Sequence, residues 1–275
     1  MLKTIMVPTD GSPESDRALP VARAIARAQE AQVLLVQVVE FPVLAGDAYA
    51  ERQVFQQTFD LLQQWSQDNL NRLAAQFRGA SIRVESSQLT GNASEHLLDF
   101  ERQHQPDLVV MATHGRSGLA RFALGSVADR MVRHGIAPVL LVRGESEVST
   151  LDKAMVMLDG SGVAEEALGI TRELAGHPVQ EVQFFEAVAD PRDRAPATTY
   201  LMGVAERFAP SGVKTTISVE MGDPSVLIEA ASREVDLVIL CTHGRGGFNR
   251  LRYGSVAESV VQNSTRPVLL VRAAA

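Results

Sequence analysis

The chain has 275 residues, a formal net charge of -7, and 45% hydrophobic and 21% charged residues. With no run of lysine or arginine, that acidic balance argues against a broad nucleic-acid or anionic-membrane surface and leaves room for a small enclosed anion site. The single cysteine, Cys241, excludes a disulfide framework and a multi-cysteine metal centre, and no apolar run approaches the ~20 residues that span a bilayer.

In chain order, Leu2 to Val7 is a short apolar run ended by Pro8, which predicts a buried strand. The run is too short for a secretory leader, so the expected location is the cytoplasm. Ser12 and Pro13 suit the cap and first position of a helix in which Ala18, Leu19, Ala22, Ile25 and Ala26 recur at helical spacing. Ala31 to Val39 is almost continuously aliphatic, as in a strand covered on both faces. A long helix follows from about Ala48 to Phe77, with Phe55, Phe59, Leu62, Trp65, Leu70 and Leu73 as packing residues. Ser81 to Gln88 alternates as a strand does. Asn92 and Glu95 have capping-box spacing before the next helix. Asp107 to Ala112 is a strand, Ser126 to His134 a helix with Ser126 and Asp129 again at capping-box spacing, and Pro138 to Arg143 a strand.

The polar stretch Gly144 to Asp152 reads as a linker, after which the order repeats. Strands are predicted at Lys153–Leu158, Gln180–Ala187, Lys214–Glu220, Asp236–Cys241 and Pro267–Arg272, with helices between them. The helix Ala195–Ala209 is much shorter than its counterpart. The expected domains are residues 1–143 and 153–275, with the linker at 144–152. Each is an α/β doubly wound domain, a five-stranded parallel sheet of order 3-2-1-4-5 with helices on both faces. In that order strands one and four flank the topological switch point, where such sheets bind ligands.

Two repeated motifs meet there. Asp10-Gly11-Ser12 recurs as Asp159-Gly160-Ser161, at the end of strand one of each half. Thr113-His114-Gly115-Arg116, then Gly118, then Gly125-Ser126-Val127 recurs as Thr242-His243-Gly244-Arg245, Gly247 and Gly254-Ser255-Val256, after strand four. Glycines let backbone approach a polyphosphate, and Gly125-Ser126 and Gly254-Ser255 open helices whose N–H groups suit an anion. The plainer reading is a turn and a capped helix, with Ser126–Asp129 and Ser255–Glu258 as capping boxes and Asp10 and Asp159 as turn residues. Trp65 reads most simply as core or interface packing, and His114 and His243 as loop-shaping residues.

At these residues the chain resembles the universal stress protein family in its tandem two-domain form. The family's nucleotide-binding members carry Gly, two residues, Gly, nine residues, Gly, then Ser or Thr. Gly115 with Gly125-Ser126, and Gly244 with Gly254-Ser255, match that pattern, while Ala112 and Cys241 replace its leading glycine. Pro8-Thr9-Asp10 fits the family's strand-one motif; in the second half Asp159 is kept and Met157 replaces the proline. The resemblance implies a site for ATP or AMP, with Mg2+ as a candidate on the phosphates. In the first half it would use Pro8, Thr9, Asp10, Val38, Met111, Ala112, Gly115, Arg116, Gly118, Gly125, Ser126 and Val127. In the second it would use Asp159, Ala187, Cys241, Gly244, Arg245, Gly247, Gly254, Ser255 and Val256. No catalytic residue or protein metal ligand is expected, because no general base, Walker lysine or paired histidines can be placed.

Three readings stay open: a nucleotide-responsive stress or regulatory protein, a slow ATP-hydrolysing or adenylyl-transfer enzyme, and a scaffold that holds no nucleotide. Pro8 and the small Ala112 favour the first half as the better site. The identical Pro138–Arg143 and Pro267–Arg272 segments are apolar edges expected to pair with each other, with a homodimer of whole chains as a further expectation.

Overall fold

The computed structural model describes residues 1–40, 49–113, 124–143, 150–209, 212–242 and 254–272, with side chains from residue 55 onward in the helix that starts at 49. The first half runs β1 (Thr4–Thr9), α1 (Pro13–Asp16), α2 (Ala18–Gln29), β2 (Gln32–Val39), α3 (Tyr49–Gly79), β3 (Val84–Thr90), α4 (Ala93–His104), β4 (Leu108–Ala112), α5 (Ser126–His134) and β5 (Val139–Val142). The second runs β6 (Lys153–Met157), α6 (Gly162–Glu165), α7 (Ala167–Leu174), β7 (Glu181–Val188), a 3-10 turn at Pro191–Asp193, α8 (Arg194–Phe208), β8 (Lys214–Met221), α9 (Pro224–Ser232), β9 (Leu237–Cys241), α10 (Ser255–Asn263) and β10 (Val268–Val271). No helix among the described residues is long and apolar enough to cross a membrane.

Local chemistry moves some expected boundaries. β1 begins at Thr4 rather than Leu2, because the carboxylate of Asp107 accepts the N–H groups of both Lys3 (2.6 Å) and Thr4 (2.9 Å). The helix expected from Pro13 is split at Arg17 into α1 and α2. Ser12 caps α1 by accepting from Ser15 N–H at 3.1 Å, and the Ser15 hydroxyl bonds back to the Ser12 carbonyl at 2.9 Å.

The ten strands among the described residues form one sheet in the order β3-β2-β1-β4-β5-β10-β9-β6-β7-β8. Each half therefore keeps the 3-2-1-4-5 order, but the halves are one continuous sheet rather than two. Nine strand neighbours make eight parallel pairs and one antiparallel pair, β5 with β10, centred on Leu140 opposite Leu269. The two Pro-Val-Leu-Leu-Val-Arg edges thus cover each other, which removes two apolar edges from solvent.

Each face of the sheet carries an apolar core that spans both halves. One packs Ile5, Val7, Val33 and Leu35 with α2 and α3, and their second-half equivalents with α7 and α8. The other packs Met6, Leu34, Val36, Val109 and Leu141 with α4 and α5, and their equivalents with α9 and α10. Polar clasps reinforce the join. Arg143 reaches the Val261 carbonyl at 3.1 Å and the Gln262 carbonyl at the end of α10, while Arg272 reaches the Gly135 carbonyl at the end of α5 at 3.0 Å. Cations at helix C-termini are also favoured by the helix dipoles. The buried Gln29 side chain accepts from Leu2 N–H and donates to the Glu173 and His177 carbonyls across the join.

Candidate nucleotide site

The site starts where β1 and β4 part. Their pairing is confined to Ile5–Leu108 and Met6–Val109, whereas β6 and β9 continue one residue further, to Val156–Ile239. Pro8 has no N–H with which to extend a ladder, and Met157, at the matching place, has one. The first-half crevice therefore opens earlier.

A cavity of about 430 Å³ lies over that opening, within the roughly 300–1,000 Å³ usual for small-molecule sites. Pro8, Thr9 and Asp10 form one wall, Met111, Ala112 and Thr113 the facing wall, and Val38 and Glu40 the β2 side. Gly125, Ser126, Val127 and Ala128 close the α5 end. Nine of the expected first-half residues thus meet in one place: Pro8, Thr9, Asp10, Val38, Met111, Ala112, Gly125, Ser126 and Val127. Gly115, Arg116 and Gly118, with His114, lie outside the described residues.

The start of α5 differs from the capping box expected there. Gly125, not Ser126, is the N-cap, at φ -60° and ψ 148°, with no side-chain cap. Its own N–H bonds the Thr113 carbonyl at 2.8 Å, and the helical ladder begins at Asp129 N–H to the Gly125 carbonyl. The N–H groups of Ser126, Val127 and Ala128 thus have no carbonyl to meet within the helix. Asp129 is turned away, both its oxygens taking Arg133 Nε at 2.8 Å. The negative φ means Gly125 is not needed for an unusual backbone conformation.

The neighbouring helix start is already occupied by protein groups. At α4, Asn92 accepts from Glu95 N–H at 3.1 Å and Glu40 accepts from Ala93 N–H at 3.0 Å. Of these two helix starts, α5 is the one without a side-chain cap.

Asp10 has a structural task as well. Its Oδ1 accepts from both the N–H (2.9 Å) and hydroxyl (2.6 Å) of Ser12. Asp159 does the same with Ser161, at 3.0 and 2.6 Å. The turn role is real in both halves and occupies one carboxylate oxygen in each. No lysine or arginine among the described residues lines the cavity, and no three His, Cys, Asp or Glu side chains among them gather as a metal set.

In the second half α10 repeats the α5 geometry. Gly254 is the N-cap at φ -61° and ψ 151°, and its N–H bonds the Thr242 carbonyl at 2.9 Å. The capping box expected of Ser255 and Glu258 is likewise replaced by this glycine cap. Ala187 and Val256 lie partly buried against the α9–α10 core, and Cys241 is a buried thiol ending β9. Gly244, Arg245 and Gly247, with His243, lie outside the described residues.

Several cavity residues went unread in the sequence. Trp65, expected in a core or interface, is 41% exposed and lines the cavity with Leu62. It lies over Gly11, whose φ of +76° suits glycine; a Cβ there would stand 2.3 Å from the indole. Gln37 also lines the cavity, on the α3 face beside Thr9. The available signal was a lone amide inside the aliphatic run Val33 to Val39, since a polar group in a strand covered on both faces must find partners.

A doubly wound α/β sheet, with a crevice at its switch point and a glycine-capped helix start beside it, is the class of architecture in which ligands bind outside the carboxyl ends of the strands. The universal stress protein family profile matches residues 1–143 and again residues 150–272, and the chain belongs to that family in tandem form. Over 287 residues it is 25% identical to a universal stress protein of Mycolicibacterium smegmatis, covering 98% of this chain and 96% of that one. A universal stress protein of Methanocaldococcus jannaschii is 30% identical over 143 residues, 52% of this chain and 83% of the relative. The crystal structure of a universal stress protein from Archaeoglobus fulgidus has a TM-score of 0.80 at 20% identity, over 98% of each chain.

Proposed function

We propose that the first-half cavity binds an adenine nucleotide, ATP or AMP, and that the protein acts by changing shape or partners with nucleotide rather than by fast turnover. The observation that carries this reading is the start of α5: three cavity-lining residues, Ser126 to Ala128, offer helix N–H groups with no intrahelical carbonyl to meet. Phosphates belong at that end. The base belongs at the β2 end, between Asp10 and Val38. Arg116, or Mg2+ carried in with the phosphates, would supply positive charge that the described lining lacks.

The second-half site is weaker in this reading. Its strands part later, and Cys241 is bulkier than Ala112. An enzyme with ordinary turnover rates would need a general base beside the phosphates, and the described carboxylates of the lining, Asp10 and Glu40, accept from Ser12 and Ala93 instead.

The test is direct. Protein purified from cells is denatured by heat and the supernatant analysed by chromatography for ATP, ADP and AMP; its melting temperature is also recorded with and without added ATP. Released nucleotide, or a rise in melting temperature with ATP, is expected. Neither nucleotide nor shift would favour the empty scaffold, and multiple-turnover phosphate release at enzymatic rates would favour the enzyme.

A further inference from the structure

We propose that Gln37 is the specificity-determining residue of the first-half site, presenting its carboxamide N–H to an acceptor atom on the nucleotide base. This rests on the nucleotide reading above and names what that site reads.

A chain of four side chains fixes which end of the Gln37 amide faces the cavity. Arg72 Nη2 donates to Asp16 Oδ2 at 3.0 Å and to Asn69 Oδ1 at 2.7 Å. A guanidinium can only donate, so the atom of Asn69 facing it is the oxygen. Asn69 must then turn its nitrogen the other way, where it donates to Gln37 Oε1 at 2.9 Å. The oxygen of Gln37 is thereby committed, and its nitrogen is left on the other side. Orientations of isolated amides are ambiguous, but this one is settled by a cation two residues along the network. Gln37 is only 2% exposed, and it lines the cavity. No acceptor among the described residues takes its Nε2 hydrogens. That nitrogen faces the cavity, where an acceptor atom of a ligand can take the place of water.

Its place in the sheet says which part of the ligand. β2 is separated from β4 and α5 by β1, so Gln37 stands two strand spacings, about 10 Å, from the α5 side. That is the end opposite the phosphates. Trp65 of α3 walls the same lobe with a flat apolar surface, suited to a base. The group met by Gln37 is therefore a ring nitrogen of the base.

The second half carries the opposite polarity. Glu186 on β7 takes the place of Gln37, Tyr200 on α8 that of Asn69, and Glu165 on α6 that of Asp16. Ionised, Glu186 is an acceptor only, and Glu165 is a second carboxylate near Tyr200. A base atom that accepts from the Gln37 amide would meet only acceptor oxygens at an ionised Glu186.

The experiment compares ATP binding to the intact chain and to Gln37→Met and Asn69→Asp variants by isothermal titration calorimetry, with melting temperature as the folding control. It repeats the wild-type and Gln37→Met titrations with 1-deaza-, 3-deaza- and 7-deaza-ATP. Gln37→Met removes the donor at similar volume and is expected to weaken ATP about 10-fold. Asn69→Asp lies outside the cavity lining, yet its second carboxylate oxygen forces Gln37 to reverse its amide and show the cavity an oxygen. It is expected to weaken ATP by at least as much. One deaza analogue should bind the wild type about 10-fold more weakly than ATP, and Gln37→Met should not distinguish that analogue from ATP. ATP binding unchanged in both variants, or equal wild-type affinity for all three analogues, overturns the inference while leaving the nucleotide site standing. If Asn69→Asp does not fold, Gln37→Met and the analogues decide. A wild type that binds no ATP overturns both readings.

Discussion

Glu101 shows how one buried side chain sets a turn. It is fully buried on α4, and its Oε1 accepts from Ile136 N–H at 3.0 Å and Ala137 N–H at 2.9 Å, between α5 and β5. In the second half a hydroxyl does similar work locally, Ser264 accepting from Arg266 N–H at 3.1 Å. Burial pushes the Glu101 carboxyl above the ordinary glutamate value of 4.5, against the pull of those two N–H groups and of Arg102 and Arg272. A group whose folded pKa is raised binds more protons folded than unfolded, so its contribution is full below the unfolded pKa and is lost as pH rises through the folded one. Glu101→Gln should therefore gain in melting temperature relative to wild type as pH is raised from about 4.5 toward neutrality. Parallel melting profiles would count against this assignment. Gly11→Ala puts a side chain into a left-handed backbone and against Trp65, and urea unfolding should show a loss of about 1–2 kcal/mol. Residues with fixed backbone roles, such as Ser12 as a cap and Asp10 as a turn former, were legible because their partners lie within three positions in sequence. Gln37, Asn69 and Arg72 were not, because their chain of bonds joins elements far apart in sequence.

At the scale of elements, strands and helices were readable to within a few residues, since apolar runs and helical spacing report burial directly. The misread helix starts are instructive. Ser126 and Ser255 fit the spacing of a cap, but the chain returns from β4 to bond through Gly125 and Gly254, and the serines become the first helical residues. Spacing alone does not distinguish these cases; the tertiary bond to Thr113 or Thr242 does. The long α3 is legible in length but not in role. Its later turns bury Leu70, Leu73 and Phe77, whereas Leu61, 67% exposed, and Trp65 sit on the earlier turns. Among the described residues the arginine clasps at the join are unequal: Arg143 serves two carbonyls and Arg272 one. Arg143→Ala should cost about 2–3 kcal/mol in chemical denaturation and Arg272→Ala about 1–2 kcal/mol. Equal losses would show that the second Arg143 bond contributes nothing.

For the whole molecule, the duplication made both the sheet order and the central join readable. Two copies of one apolar edge in a single chain can cover each other, and β5 and β10 do so. Since the two edges share the sequence Val-Leu-Leu-Val, residues 1–143 expressed alone should replace the missing half with a second copy and form a two-fold dimer through β5. Light scattering after size exclusion should report that dimer, and Leu140→Asp should turn it into a monomer; a monomer without the substitution would contradict the pairing account. What the duplication concealed is the difference between its halves. The early parting of β1 from β4, Pro8, Ala112 and the neutral Gln37 all favour the first half for the proposed nucleotide, while Glu186 stands in the place of Gln37 in the second. The decisive measurement is calorimetric titration of ATP into the intact chain and into Gly125→Val and Gly254→Val. The expected result is one principal site per chain, lost in Gly125→Val with melting temperature nearly kept, and retained in Gly254→Val. Binding that survives Gly125→Val, or that disappears with Gly254→Val, would contradict the account.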